Sequence, residues 1–203
     1  MKQELEANTA ALEAAKQPIA MTQPPATAVT AQPQISAPPQ ISAQPQQDDL
    51  EITMIGDSVM LGAALELQAK FPSATIDAKE SRQVWDAPQL LTDLSQQDQL
   101  ADKVVIALGA NGTLSAPTAQ KIMDRLGSER HLYWVIPYGK YIPWLDDCTK
   151  ALRKLEENYS NVSLLDWPAY ASSHSDWFYN DGMHLSEQGK LEYAKFIAAG
   201  IEG

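Results

Sequence analysis

A hydroxyl, an imidazole and a carboxylate carry out acyl transfer when the imidazole takes the proton of the hydroxyl and the carboxylate holds the imidazole. Ser58 closes the run Ile52-Thr53-Met54-Ile55-Gly56-Asp57-Ser58, and an apolar-periodic segment starts directly after it. That places the serine at a strand-to-helix junction, with its hydroxyl at the sheet edge. Its own N–H then lies at a helix N-terminus, where unpaired donors and the positive dipole end stabilise an oxyanion. Of the three histidines, His184 alone lies in a loop beside a carboxylate and a glycine, Asn180-Asp181-Gly182-Met183-His184-Leu185. Gly182 permits a sharp turn, so Asp181 reaches one ring nitrogen while the other faces Ser58. The competing reading makes Ser58 a plain helix cap.

The order Ser, Asp, His matches that of α/β-hydrolases, but Gly56-Asp57-Ser58-Val59-Met60 lacks the second glycine of their G-x-S-x-G elbow. Asp57 reads as structural, paired with nearby loop N–H groups. His131 opens a strand and His174 sits in a polar loop, neither with a second ligand at metal spacing, so no metal and no cofactor is expected. The single Cys148 excludes an internal disulfide or a multi-cysteine zinc site. A net charge of −11 excludes a nucleic-acid binder, because no basic patch is available to release counterions. No apolar run approaches the roughly 20 residues that span a bilayer, so the chain as given reads as soluble.

Two regions differ in composition. Residues 1–49 hold no glycine and no aromatic, are rich in Ala, Gln and Pro, and nearly repeat Gln34-Ile35-Ser36-Ala37 as Gln40-Ile41-Ser42-Ala43. They read as a disordered linker, with a transient helix over Gln3 to Lys16 and a semi-stiff spacer from Pro18 onward. Residues 50–203 hold every glycine and aromatic and form the folded domain. Strands are expected over Leu50 to Ile55, Ala74 to Ala78, Val104 to Leu108, His131 to Ile136 and Val162 to Asp166. Helices are expected over Ser58 to Lys70, Val84 to Gln97, Pro117 to Leu126 and Leu145 to Tyr159, with a last one capped by Ser186. Five β-α units predict an α/β three-layer sandwich around a parallel sheet of order 2-1-3-4-5. Ligands then sit where the strand order reverses, so the loop Gly109-Ala110-Asn111-Gly112 converges on Ser58. Tyr138, Trp144, Trp177, Phe178 and Tyr179 fall on the expected rim, with Tyr138 and Trp177 taken as substrate-binding.

Together, Gly-Asp-Ser-Val, Gly-x-Asn and Asp-x-x-His resemble the blocks of the SGNH (GDSL-type) esterases and acyltransferases. The resemblance implies that Ser58 is the nucleophile, that Asp181 and His184 complete a triad, and that Asn111 joins the Ser58 N–H in an oxyanion hole. The family's second block supplies a glycine N–H, but here that loop reads Lys79-Glu80-Ser81-Arg82-Gln83-Val84-Trp85, leaving Ser81 or Arg82 as the third donor. With Asp-Gly-Met-His-Leu and the linker, the set looks like the extracytoplasmic domain of Gram-positive peptidoglycan O-acetyltransferases. That resemblance implies a double displacement through acetyl-serine, with the C6 hydroxyl of N-acetylmuramoyl residues as acceptor. It also implies an upstream membrane acyltransferase domain that passes acetyl outward, and a position on the extracellular face of the plasma membrane. An esterase using water and an inactive wall-binding module are the alternatives.

Overall fold

Strand β1 (Ile52–Gly56) is buried at every position, and four of the five residues of β3 (Lys103–Ala107) are buried. Runs that are apolar on both faces belong in the middle of a covered sheet, and in the computed structural model, which describes residues 2–15 and 51–202, these two strands pair. With β2 (Thr75–Ala78), β4 (His131–Val135) and β5 (Val162–Leu165) they form a parallel sheet of order β2-β1-β3-β4-β5, as expected from the sequence. Gly56 aligns with Ala78 on one side and Ala107 on the other, so the loops after β1, β2 and β3 leave one edge side by side.

Two helix layers cover the sheet. On one face lie α4 (Ala87–Gln96), α5 (Ala116–Leu126) and α6 (Leu145–Asn158), whose Leu91, Ile122 and Leu152 pack with Ile55, Ile106 and Trp134. On the other lie α2 (Ser58–Gly62), α3 (Ala64–Lys70), α7 (Trp167–Ala171) and α8 (Glu187–Glu202), around Met54, Val105 and Val135. Local chemistry sets the ends. Pro88 stands in the first turn of α4, after a 3-10 turn over Val84–Asp86, and Gly127 ends α5 at φ 71°. Ser186 caps α8 by accepting the Gly189 N–H at 3.2 Å. Neither α7 nor the 3-10 turn Ser175–Trp177 was expected from periodicity, since each is too short to show it.

The N-terminal region departs from expectation. Residues 2–15, read as a transient helix within a disordered linker, form the helix α1 (Lys2–Ala15), which is docked, packing on α2 and α3 with Leu5 and Leu12 buried. The proline-rich spacer lies outside the described residues. Burial of those two leucines offsets the ordering entropy that composition alone suggested would win. Asn8, buried in the contact, donates to the carbonyls of Leu61 and Gly62 at 2.9 and 3.1 Å. The single helix expected over Ser58 to Lys70 is in fact broken at Ala63, and the Asn8 amide occupies carbonyls at that break. Glu4 pairs with the buried Lys190 of α8.

Replacing Asn8 by Ala removes a buried donor from the carbonyls of Leu61 and Gly62, which costs about 1–3 kcal/mol. Thermal unfolding followed by circular dichroism should show a Tm lower by several degrees; an unchanged Tm would mean that the Asn8 amide adds nothing to the docking of α1.

Candidate active site

Asp57, not Ser58, caps α2: its carboxylate accepts the Val59 N–H at 3.0 Å. Ser58 occupies the first helical position, where a backbone N–H has no intrahelical acceptor. Its hydroxyl is therefore free of capping duty and meets His184 Nε2 at 2.9 Å. Gly56 makes this tight turn possible, because a β-carbon there would stand 2.3 Å from the Met60 Cβ. As α2 has only five residues, its N-terminus offers an anion a discrete N–H more than a helix dipole.

The other half of the relay is built within one loop. Phe178 and Leu185 form an antiparallel bridge, Tyr179 N–H donates to the His184 carbonyl at 2.8 Å, and Gly182 turns the chain at φ 64°. Asp181 Oδ1 accepts the N–H groups of Met183 and His184 at 3.0 and 2.9 Å, and Oδ2 meets His184 Nδ1 at 2.8 Å. A carboxylate at Nδ1 places the proton there, so Nε2 is left to accept from Ser58. Partial burial opposes ionisation of Asp181, but the bonds from the His184 ring and the two N–H groups outweigh it and hold the carboxyl below its usual range.

Asn111, from the loop after β3, donates one amide hydrogen to the Arg82 carbonyl at 3.3 Å. An amide carries two hydrogens, so this bond uses one of the two. Arg82 does not fit the donor role considered for it. Its N–H is directed at the Lys79 carbonyl at 3.4 Å, and its buried guanidinium binds the Gly56 carbonyl at 3.2 Å, the Asp77 carbonyl and the Asp77 carboxylate at 2.8 Å. It is a positioning residue that ties the ends of β1 and β2 to Asn111. Ser81, exposed and at φ 59°, is the remaining member of the pair.

No protein-family model matches the chain. The C-terminal catalytic domain of Streptococcus pneumoniae peptidoglycan O-acetyltransferase A (OatA) superimposes with a TM-score of 0.68 at 26% identity, over 75% of this chain and 93% of that one. The Bacillus subtilis protein YrhL, provisionally named a peptidoglycan O-acetyltransferase, is 31% identical over 75% of this chain and 24% of its own length. The O-acetyltransferase OatA of Staphylococcus aureus is 30% identical over 73% and 24%. The domain has the SGNH-hydrolase fold, and the relatives it matches are named O-acetyltransferases, among them ones that act on peptidoglycan. The chain spans about a quarter of the length of the curated relatives it matches.

The rim of this SGNH domain differs from the sequence reading. Trp177, expected to bind substrate, is only 8% exposed and stacks between His174, at 3.8 Å, and Trp167, at 6.0 Å. It is core, because the 3-10 turn that carries it folds under α8. Tyr138 is half-buried, packs on Phe178 at 4.8 Å and lines a cavity with Asp57 and Val59. That cavity, about 20 Å³, has room for a single water and not for a sugar. Trp144 donates its indole N–H to the Gly109 carbonyl at 3.1 Å and so braces the Asn111 loop. Trp85 and Tyr141, which the sequence reading passed over, are the exposed aromatics of the neighbouring loops. Only their position after β2 and β4 could have marked them.

Asp57 is fully buried beside Arg82 and His184, with Tyr193 also near, and burial raises its pKa from 3.8 to about 6. The native state thus holds a proton that the unfolded chain releases, and this stabilisation is complete below pH 3.8 and is lost as pH rises through about 6. An Asp57→Asn variant lacks that linkage. In urea unfolding, wild type should gain about 2 kcal/mol on the variant between pH 7.5 and 4.5; an equal gap at both values would refute the assignment.

Proposed function

We propose that residues 50–203 are the catalytic domain of a serine O-acetyltransferase that moves acetyl to a hydroxyl of peptidoglycan, the C6 hydroxyl of N-acetylmuramoyl residues. The observation that carries this reading is the continuous relay from Ser58 through His184 to Asp181, at 2.9 and 2.8 Å, within a domain homologous to OatA. Ser58 Oγ attacks the acetyl carbonyl as its proton passes to His184 Nε2. The oxyanion is held by the Ser58 N–H, the second hydrogen of the Asn111 amide and the Ser81 N–H. His184 returns the proton to the departing group, leaving acetyl-serine. A sugar hydroxyl then gives its proton to Nε2 and attacks the same carbonyl. Collapse expels Ser58 Oγ, which recovers the proton, and the acetyl ester stands on the sugar.

Asp181 remains ionised throughout and stabilises the imidazolium that forms in each half-reaction. The acetyl donor is passed from an upstream membrane acyltransferase domain, and the catalytic domain works on the outer face of the plasma membrane. Two observations support that arrangement. The curated relatives are about four times as long as the matched segment, and no helix among the described residues is long and apolar enough to cross a membrane.

Water as acceptor gives an esterase with the same residues, and the Pseudoalteromonas esterase EstA shares the fold, with a TM-score of 0.59 at 16% identity. The decisive experiment incubates the protein with 4-nitrophenyl acetate and a chitooligosaccharide or muropeptide acceptor, and looks for acetylated sugar by mass spectrometry. Product that disappears in Ser58→Ala supports transfer; ester hydrolysis with no acetylated sugar under any acceptor supports the esterase. Asn111→Ala should lower the rate of acetyl-serine formation by about 10²–10³ while the melting curve stays near that of wild type.

A further inference from the structure

Two aromatic side chains stand out against the rest of the surface: Trp85 is 61% exposed and Tyr141 is 71% exposed. Leaving rings of that size in water forgoes burial energy, which elsewhere in the domain has drawn Trp134, Trp167 and Tyr193 fully inside. Neither ring is on a loose tip. Trp85 is the middle residue of the 3-10 turn between Val84 and Ala87, both buried, and Asp86 closes the turn by accepting the Gln83 N–H at 2.9 Å. Tyr141 follows Lys140, whose N–H donates to the Gly182 carbonyl at 3.1 Å, so its loop is strapped to the turn that bears Asp181 and His184.

Their placement is the telling point. The Trp85 indole lies against Gly112, where an added β-carbon would stand 3.2 Å from Cζ3, and Gly112 is the residue after Asn111. One ring therefore lies beside the loop that carries Asn111, and the other is borne by the loop tied to the turn of Asp181 and His184. We propose that Trp85 and Tyr141 are the two stacking platforms of an acceptor groove, which holds a neutral stretch of glycan across the nucleophile by the C–H faces of its sugar rings. The chemistry favours sugar over other extended ligands. Flat aromatic faces match pyranose rings, and a chain with net charge −11 disfavours a polymer with a charge on every unit, such as a nucleic acid or polyphosphate, far more than a glycan whose C–H faces are uncharged. Lys140, whose Nζ lies 5.6 Å from the Tyr141 ring centre, backs that ring and adds a donor for hydroxyl or acetamido oxygen.

This inference rests on the glycan acceptor proposed above, and a binding measurement separates the two. Chitopentaose is titrated into the Ser58→Ala protein by calorimetry, alone and combined with Trp85→Ala, Trp85→Phe, Tyr141→Ala or, as a control on α7, Tyr170→Ala. Each platform variant should weaken binding about tenfold, Trp85→Phe should recover much of the loss, and Tyr170→Ala should bind as the parent does. N-acetylglucosamine, a single ring that can face only one platform at a time, should bind far more weakly and gain little from having both. Melting curves matching the parent assign the loss to the missing ring. Unchanged affinity in both platform variants, or no binding by the Ser58→Ala parent, would overturn the groove. Absence of acetylated sugar with intact, ring-dependent binding would instead overturn transfer and keep the groove.

Discussion

A buried guanidinium must be matched by acceptors on every side or it destabilises the fold that contains it. Arg82 meets that demand with the carbonyls of Gly56 and Asp77 and the carboxylate of Asp77, and in doing so it clamps the last residues of β1 and β2 together. The backbone carbonyl of the same residue holds Asn111. One side chain thus sets the spacing between the strand that leads into Ser58 and the loop that carries Asn111. The fork geometry of arginine suits this, since a lysine offers a point charge and cannot span a carboxylate and two carbonyls at once.

Two aspartates near Ser58 show how environment assigns different work to one functional group. Asp57 is sealed in, accepts from the Val59 and Ala110 N–H groups, and joins the first turn of α2 to the loop after β3. Asp181 is partly open to solvent, yet its three hydrogen bonds keep it charged, which is the state that holds a histidine proton at Nδ1. The buried group is mechanical and the open one electrostatic.

The sheet order was readable because β1 and β3 are continuous apolar runs and the intervening segments have helical spacing; burial patterns and strand length carry that information locally. The relay was readable for a related reason. Ser58 follows directly from its strand, and Asp181 reaches His184 through a three-residue turn, so only the meeting of two short segments had to be inferred. What escaped the sequence depends on contacts between distant segments. Nothing local to Asn8 indicates that its amide will occupy the carbonyls of Leu61 and Gly62, and composition alone made residues 2–15 look unable to order. Trp177 and Trp85 both sit in three-residue 3-10 turns, yet one is under α8 and the other in solvent. The difference lies in which helix passes overhead.

That overhead helix comes very close. A β-carbon on Gly189 would fall 1.9 Å from the carbonyl oxygen of Trp177, so α8 can seat only where this one position presents bare backbone. The Ser186 N–H then reaches the same carbonyl at 2.9 Å, and the segment between them, which contains the imidazole, is pinned at both ends. The fifth strand is complete at Leu165, well before any of this can form. On the ribosome, where earlier segments emerge first, every strand is therefore synthesised before the imidazole loop and the helix that pins it. A nascent chain halted between the two would hold all five strands yet lack both the imidazole beside Ser58 and the helix that closes one face of the sheet.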